Sequence, residues 1–191
     1  HAFVGEFYNG GTSSVGTTGT NFGISFDGQA QAICLNTPGV NCSNTSRGGL
    51  GDPASQLGGL LFLEGSGAIM NVAAGFDTGF SFFYSAISET GIVEVFDGLN
   101  GTGNLLASLN LTTTGSGCVQ EYDADFCPFV AAGVSFTGTA RSVNWGGVAN
   151  QVVFDDVTLG SATPGQVPVP GTLALIGLGL GGLASMRRRK K

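Results

Sequence analysis

The feature that most limits the fold is an alternation of apolar and polar residues along the first 160 positions. In residues 21–27, for example, Phe22, Ile24 and Phe26 occupy alternate positions of an extended chain. Because a strand points successive side chains to opposite sides, this spacing predicts strands with one buried face. The spacing of an amphipathic helix is absent before residue 167. The sequence therefore predicts an all-β domain.

Turn-forming residues divide the alternating pattern into short strands. Gly is the commonest residue, with 34 copies in 191, and it supplies turn geometry. Many short strands between turn clusters predict an antiparallel β-sandwich of jelly-roll type. Residues 97–103 are predicted to connect a hairpin. Besides 21–27, the predicted strands are 2–8, 31–35, 59–64, 68–73, 79–87, 91–97, 104–111, 129–136, 139–145 and 151–159.

Charge is distributed unevenly along the chain. Five of the seven basic residues are the last five, at 187–191. The remainder has two basic and 13 acidic residues, a net charge of −11. Because such a body repels phosphate backbones, we expect no nucleic acid partner.

The last 25 residues differ in composition from everything before them. A short proline motif at 167–171 precedes an uncharged, mostly apolar stretch at 172–186, which predicts a single short helix. With Gly171 this stretch has 16 residues and would span only ~24 Å, less than the ~30 Å hydrocarbon core. The basic end at 187–191 would stay in the cytoplasm and leave the domain outside. We therefore divide the chain into a sandwich at 1–160, a linker at 161–166 and a tail at 167–191.

This three-part tail resembles the PEP-CTERM sorting signal of Gram-negative bacteria. The family usually has Glu between the two prolines, where this chain has Val169. The resemblance implies transient insertion in the inner membrane, recognition by an exosortase (a membrane protease-transferase), and a cell-surface or extracellular location. An ordinary membrane anchor is the alternative. The matching residues are the motif Val167, Pro168, Val169, Pro170 and Gly171 and the basic stop Arg187, Arg188, Arg189, Lys190 and Lys191.

The second half of the domain carries a further resemblance. Its short motifs look like the β-sandwich domains common in PEP-CTERM proteins, and they resemble jelly-roll carbohydrate-binding modules. PEP-CTERM proteins often belong to exopolysaccharide-producing, biofilm-forming cells. The motifs lie at 93–98, 105–107, 141–147 and 154–160.

Four cysteines allow three disulfide pairings. The simplest pairing closes two local loops, Cys34–Cys42 and Cys118–Cys127. A zinc site is the rival interpretation, but the chain has no C-x₂-C motif and its only His is His1. Disulfides are typical of exported proteins. A first residue other than Met leads us to expect that an export signal has been removed.

The sequence identifies no catalytic residues, and we expect a non-enzymatic protein. A serine or cysteine hydrolase needs a base, usually His, beside its nucleophile. Asp155 and Asp156 are adjacent on a predicted strand, so they are expected to point to opposite faces and not to act as an acid/base pair.

One acidic run is a candidate calcium site. Glu121, Asp123 and Asp125 alternate and supply the oxygen ligands that calcium prefers. Their run also resembles the E-x-D-x-E strand of jelly-roll glucanases, and a solvated acidic loop is the plainest alternative. Glu6 with Asp155 or Asp156 is a second possible calcium set, by analogy with jelly-roll modules. No other cofactor is expected.

Three functions remain open. The first is an exported surface or extracellular-matrix protein with a structural or adhesive role linked to biofilm or exopolysaccharide. The second is a carbohydrate-binding module, which would need exposed aromatic side chains on one sheet face. The third is a self-associating filament subunit that adds its segment 2–8 to a neighbour's sheet. The aromatic candidates for a sugar face, for which core packing is the competing use, are Phe80, Phe82, Tyr84 and Trp145.

Overall fold

The computed structural model describes residues 2–34, 58–62, 65–117 and 128–165. All strand pairs in these ranges are antiparallel, in the order β1-β3-β4-β9-β5-β8-β6-β7, with β2 paired to β5. The strands are β1 Ala2–Phe3, β2 Ile24–Phe26, β3 Ala30–Cys34, β4 Gly58–Phe62, β5 Gly67–Ala86, β6 Gly91–Phe96, β7 Leu105–Leu111, β8 Val130–Gly146 and β9 Val152–Leu159. A 3₁₀ turn, Gly115–Gly117, follows β7.

Two long strands, β5 and β8, run through both layers of the sandwich. The first half of β5 pairs with β2 and with the end of β8, whereas its second half pairs with β9 and with the start of β8. The β5–β8 ladder shifts register between Asn71 and Phe76 and again between Asp77 and Gly79. Strands that pass from one sheet to the other at such irregularities form the corners of sandwiches. The predicted all-β antiparallel sandwich is confirmed.

The predicted strand boundaries differ from the observed ones where the chain bends without ending a strand. The sequence predicted two strands at 68–73 and 79–87, but both belong to β5. Gly75 and Thr78 have φ values of +77° and +71°, so the chain kinks there and then continues pairing. At the N-terminus the opposite occurs, because the predicted strand 2–8 ends already at Phe3 and turns follow from residue 5.

An aromatic cluster fills the space between the two layers. The ring of Trp145 on β8 lies 4.6 Å from that of Phe154 on β9 and 5.2 Å from that of Phe82 on β5, measured between centroids. Phe80 and Tyr84 extend the cluster along β5. All five side chains are buried. The four aromatic residues that the sequence offered to a sugar-binding face are therefore core residues, because they point between the sheets.

The hairpin predicted at residues 97–103 is confirmed, since it joins β6 to β7. Asp97 accepts two hydrogen bonds from Asn104, at 2.8 Å from the side chain and 2.7 Å from the backbone, and these hold the pKa of Asp97 below its ordinary value. Asn100, at φ +59°, exchanges two hydrogen bonds with Asn71 on β5. The loop is thus fixed to the neighbouring strand.

Residues 160–165, which we call the strap, lie against the sandwich after β9. Ala162 of the strap contacts Gly79 and Gly133, which leave no room for a larger side chain. The sequence predicts a linker at 161–166, whereas residues 161–165 are in contact with the domain. Four hydrogen bonds hold the strap: Gly160 N to Gly79 O (2.9 Å), Thr78 Oγ1 to Gly160 O (2.6 Å), Ser81 Oγ to Ser161 O (2.9 Å) and Gly165 N to Thr158 Oγ1 (3.1 Å).

The described ranges contain no helix with the length and apolar character needed to cross a membrane. The predicted tail helix at 172–186 lies outside those ranges.

Candidate binding cleft

A cleft of about 630 Å³ is lined by residues of β2, β3, β4, β5 and β9, together with Tyr8 and Phe22. Most of its lining is aliphatic or aromatic. Its polar side chains are Tyr8, Asp155 and Asp156. This volume and this mixture of an apolar wall with a few polar groups are typical of small-molecule sites, which occupy ~300–1,000 Å³.

Phe22 gives the cleft an accessible aromatic face. Its side chain is 65% exposed, although the alternating pattern predicted it to be buried beside Ile24. The difference arises at Gly23, which has φ +70° and donates its N–H to Asn21 Oδ1 at 2.8 Å. This turn ends the alternation just before β2 begins, so Phe22 leaves the core face.

Tyr8 stands beside Phe22 in the same cleft. The N–H of Phe22 donates to the carbonyl of Tyr8 at 2.8 Å, which fixes the two segments together. The Tyr8 ring packs on Phe7 and Phe26, with centroid distances of 5.0 Å and 6.0 Å. Tyr8 was not recognisable as a site residue from the sequence, because the alternating pattern predicts a strand at 2–8. The glycines that surround this segment were the available signal that the strand stops early.

Asp155 and Asp156 both line the cleft, and the regular alternation that was expected to point them to opposite faces is interrupted at this place. The β5–β9 ladder shifts register between Ser81 and Phe83, where two residues of β9 stand opposite one of β5. Such a bulge breaks the alternation of side chains along a strand. Asp156 has φ +47° there, and its N–H donates to Asp155 Oδ1 at 2.8 Å. Asp is one of the few residue types that tolerate this left-handed region.

The cleft carries negative charge. Burial raises the pKa of the Tyr8 phenol, and the charge of Asp155 raises it further. Tyr8 therefore remains neutral at physiological pH and can both donate and accept a hydrogen bond.

Asp155→Asn is expected to lower the pKa of Tyr8, because it removes a charge that opposes ionisation of the phenol. Ultraviolet absorbance through an alkaline titration measures this pKa, and Tyr8→Phe assigns the transition. Because the folded pKa is raised, Tyr8 contributes stability that is present below the ordinary value of ~10 and is lost as pH rises through the folded pKa. An unchanged Tyr8 midpoint in Asp155→Asn would show that the two groups do not interact.

The predicted calcium sets have different outcomes. Glu6 accepts a hydrogen bond from Asn9 Nδ2 at 2.8 Å. Within the part of the chain that the structure describes, no three or more His, Cys, Asp or Glu side chains form a group that could hold a metal ion. Glu6, Asp155 and Asp156 thus form no such group. The other predicted site residues lie outside the described ranges: Glu121, Asp123 and Asp125, the cysteines Cys42, Cys118 and Cys127, and the tail residues 167–191.

Cys34 ends β3, and its predicted disulfide to Cys42 stays a prediction. The same holds for the pairing of the other two cysteines.

Several solved structures share part of the chain's course at low sequence identity. A family 6 carbohydrate-binding module, whose binding sub-sites were dissected by crystallography and calorimetry, is 17% identical over 71% of this chain and 86% of that chain, with a TM-score of 0.42. CsCBM6-3 from Clostridium stercorarium, in complex with cellobiose, is 17% identical over 72% and 86%, with a TM-score of 0.42. A family 43 arabinoxylan arabinofuranohydrolase from Bacillus subtilis, in complex with cellotetraose, is 16% identical over 70% of this chain and 25% of that chain, with a TM-score of 0.43.

The tail has a specific match. No curated protein matches the chain. The family model of the PEP-CTERM protein-sorting motif, however, matches residues 166–190. This confirms the resemblance seen in the proline motif, apolar stretch and basic end, and the motif implies processing by an exosortase. The chain is therefore an exported protein that carries a PEP-CTERM sorting motif and is attached to the cell surface or released.

Proposed function

We propose that this protein is a non-enzymatic surface or extracellular-matrix protein that binds extracellular polysaccharide in the cleft. The observation that carries the proposal is the combination of an accessible Phe22 ring, the neutral phenol of Tyr8 and two carboxylates in one cleft. The sorting motif supports this proposal, since an exported domain can meet extracellular polysaccharide. Binding there would serve the structural or adhesive role in a biofilm matrix that the tail resemblance implies.

The groups of the cleft suit the chemistry of a sugar. A sugar ring has C–H faces, which pack on aromatic rings such as Phe22. Its hydroxyl groups donate hydrogen bonds, and ionised acceptors such as Asp155 and Asp156 make the stronger ones. The Tyr8 hydroxyl adds a donor that the two carboxylates cannot supply. An apolar wall with a few directed polar groups is the general design of such sites.

The placement of the carboxylates supports binding and not hydrolysis. Glycosidases place two carboxyl groups on either side of the scissile bond, ~5–9.5 Å apart depending on mechanism. Asp155 and Asp156 are neighbours on β9 and are joined by the hydrogen bond from Asp156 N to Asp155 Oδ1. Both would therefore approach a bound sugar from the same strand, which is unsuited to an acid and a base acting from opposite sides.

The N-terminal segment offers no support for a filament built by strand donation. Ala2 and Phe3 pair with Ala32 and Gln31 of the same chain. The N–H of Val4 donates to Ala30 O at 3.1 Å, which continues this pairing. A donor strand would have to give up these bonds.

Phe22→Ala is expected to weaken binding of a β-1,4-linked glucose oligosaccharide at least about tenfold, or ~1.4 kcal/mol, in isothermal titration calorimetry. The loss follows from removal of the exposed ring. Stability should change by less than about 0.5 kcal/mol, because the side chain is not part of the core.

Val15→Ala is the matched control, since Val15 is 66% exposed and lies outside the cleft. It should bind as the wild-type protein does. The proposal fails if the wild-type protein binds none of a panel of neutral, amino and acidic oligosaccharides, or if Phe22→Ala binds them as tightly as Val15→Ala.

A further inference from the structure

The sugar site proposed above has an apolar floor. The lining residues that are buried are all apolar, namely Phe26, Ile33, Met70 and Phe154. Phe22, by contrast, is 65% exposed and stands at the opening of the cleft. A ligand that packs on the Phe22 ring and extends inward therefore meets carbon and sulfur atoms on the floor, and not hydrogen-bonding groups.

An unsubstituted sugar suits this floor poorly. A neutral glucan carries hydroxyl groups around the edge of every ring, and a ring that enters the cleft has to turn some of them inward. A hydroxyl group that is buried against apolar side chains without a partner loses its hydrogen bonds to water, which weakens binding. A methyl group in the same position is favoured by its burial. The floor of the cleft therefore favours a sugar that carries a small apolar substituent.

Tyr8 supplies a hydrogen-bond donor next to this floor. Its ring packs on Phe26 at a centroid distance of 6.0 Å, and its hydroxyl makes no hydrogen bond with the residues that the structure describes. The neutral phenol can donate to a carbonyl oxygen, which can only accept. An acetyl group contains both a methyl group and a carbonyl oxygen, so one acetyl group can contact the apolar floor and the Tyr8 hydroxyl together.

We infer, on the basis of the proposed function, that the cleft binds acetylated polysaccharide in preference to the unacetylated form. The sugar ring packs on Phe22, the acetyl methyl group lies against Phe26 and Met70, and the acetyl carbonyl accepts a hydrogen bond from Tyr8. An N-acetyl amide and an O-acetyl ester share this chemistry. All of these contacts are between neutral groups, so the preference should not depend on salt concentration.

The test compares two pairs of neutral oligosaccharides of equal length by isothermal titration calorimetry. The first pair is a β-1,4-linked N-acetylglucosamine oligomer and a β-1,4-linked glucose oligomer, and the second is a β-1,4-linked xylose oligomer with and without O-acetyl groups. We expect the acetylated member to bind at least about tenfold more tightly in one pair or in both, because a buried methyl group and a hydrogen bond are gained together. The pair that shows the preference identifies the amide or the ester as the preferred form.

Two variants assign the preference to the cleft. Tyr8→Phe removes the donor and is expected to lower the ratio of acetylated to unacetylated affinity at least about threefold. Tyr84→Phe is its matched control, because the Tyr84 hydroxyl bonds to Thr112 and does not line the cleft.

Ala32→Leu fills part of the interior and is also expected to lower the ratio at least about threefold, because the acetyl methyl group loses its space. Ala32 is half-buried and lines the cleft. Ala131→Leu, at an exposed position of β8 outside the cleft, is its matched control and should leave the ratio unchanged. Circular dichroism checks that each variant is folded.

The outcomes separate this inference from the function on which it rests. Equal or weaker affinity for the acetylated member of both pairs would overturn the preference while sugar binding still stands. A ratio that is unchanged in both Tyr8→Phe and Ala32→Leu would also overturn it, because the preference would then arise outside the cleft. Failure of every oligosaccharide to bind the wild-type protein would remove the proposed function itself.

Discussion

Trp145→Ala is expected to lower the free energy of unfolding by about 3–5 kcal/mol, which would unfold a large share of a domain of ordinary stability. The indole is 1% exposed, and its ring lies within 5.3 Å of those of Phe80, Phe82 and Phe154. The indole comes from the end of β8, whereas the three Phe rings come from β9 and the second half of β5 in the other layer, so alanine would leave a cavity between the layers that neither can fill alone. Urea unfolding followed by circular dichroism measures the loss, since Trp145 is the only Trp and its fluorescence disappears with it.

Trp145→Phe is the control that separates volume from hydrogen bonding. Trp145 Nε1 is buried and has no hydrogen-bond partner among the residues that the structure describes. Phenylalanine therefore removes no hydrogen bond and restores most of the ring contacts, so we expect it to cost about 1–2 kcal/mol. If the Phe variant were as unstable as the Ala variant, the indole N–H would have to donate a hydrogen bond in the native protein, and cavity formation would not be the main cause of the lost stability.

Gly133→Ala is expected to destabilise the protein by about 1–3 kcal/mol and to free the strap. A Cβ at this position would overlap the carbonyl oxygen of Ala162 and lie 2.7 Å from the Cβ of Ser81. Because the overlap is with backbone, it is not relieved by a side-chain rotation. Residues 160–165 would have to move away from β5 and β8. The free energy of unfolding gives the global effect, and amide hydrogen exchange at Gly160 and Gly165 reports whether the strap itself has opened.

Gly28→Ala is the matched control, because a Cβ at Gly28 meets no atom within 4 Å and its φ is ordinary. We expect this substitution to be neutral or to stabilise by ~0.4–1 kcal/mol through a less flexible unfolded chain. If Gly133→Ala resembled Gly28→Ala in both stability and exchange, the close contact between the strap and the sheet would not exist.

The fold class was predictable from the sequence because side-chain alternation and turn residues are local signals. The hairpin at 97–103 was predictable for the same reason, since glycine and asparagine mark its turns. The long strands β5 and β8 were not, because the residues that bend them, such as Gly75, look the same in sequence as residues that end a strand. Only pairing with distant strands distinguishes a kink from a turn.

The cleft was largely hidden from the sequence because it depends on two local exceptions to alternation. A bulge in β9 interrupts the alternation at Asp155 and Asp156, which both line the cleft, and the turn at Gly23 takes Phe22 off the core face. Conversely, Trp145 and Phe82 are aromatic residues of the type that stacks on sugar rings, but both lie buried between the sheets. The alternation and the composition of a strand do not reveal which of its two faces is covered by another layer. The sequence therefore could not separate aromatic residues of the core from an exposed aromatic residue such as Phe22.

The strap determines where the sorting tail leaves the folded body. Residues 160–165 are bonded to β5 and β9, and the match to the sorting motif begins at residue 166. One extended residue covers at most ~3.6 Å, so the chain has no slack between the two. Gly165, the last described residue before the motif, is therefore held against the sandwich by its hydrogen bond to Thr158. An enzyme that cuts within the first residues of the motif would therefore act close to the folded domain.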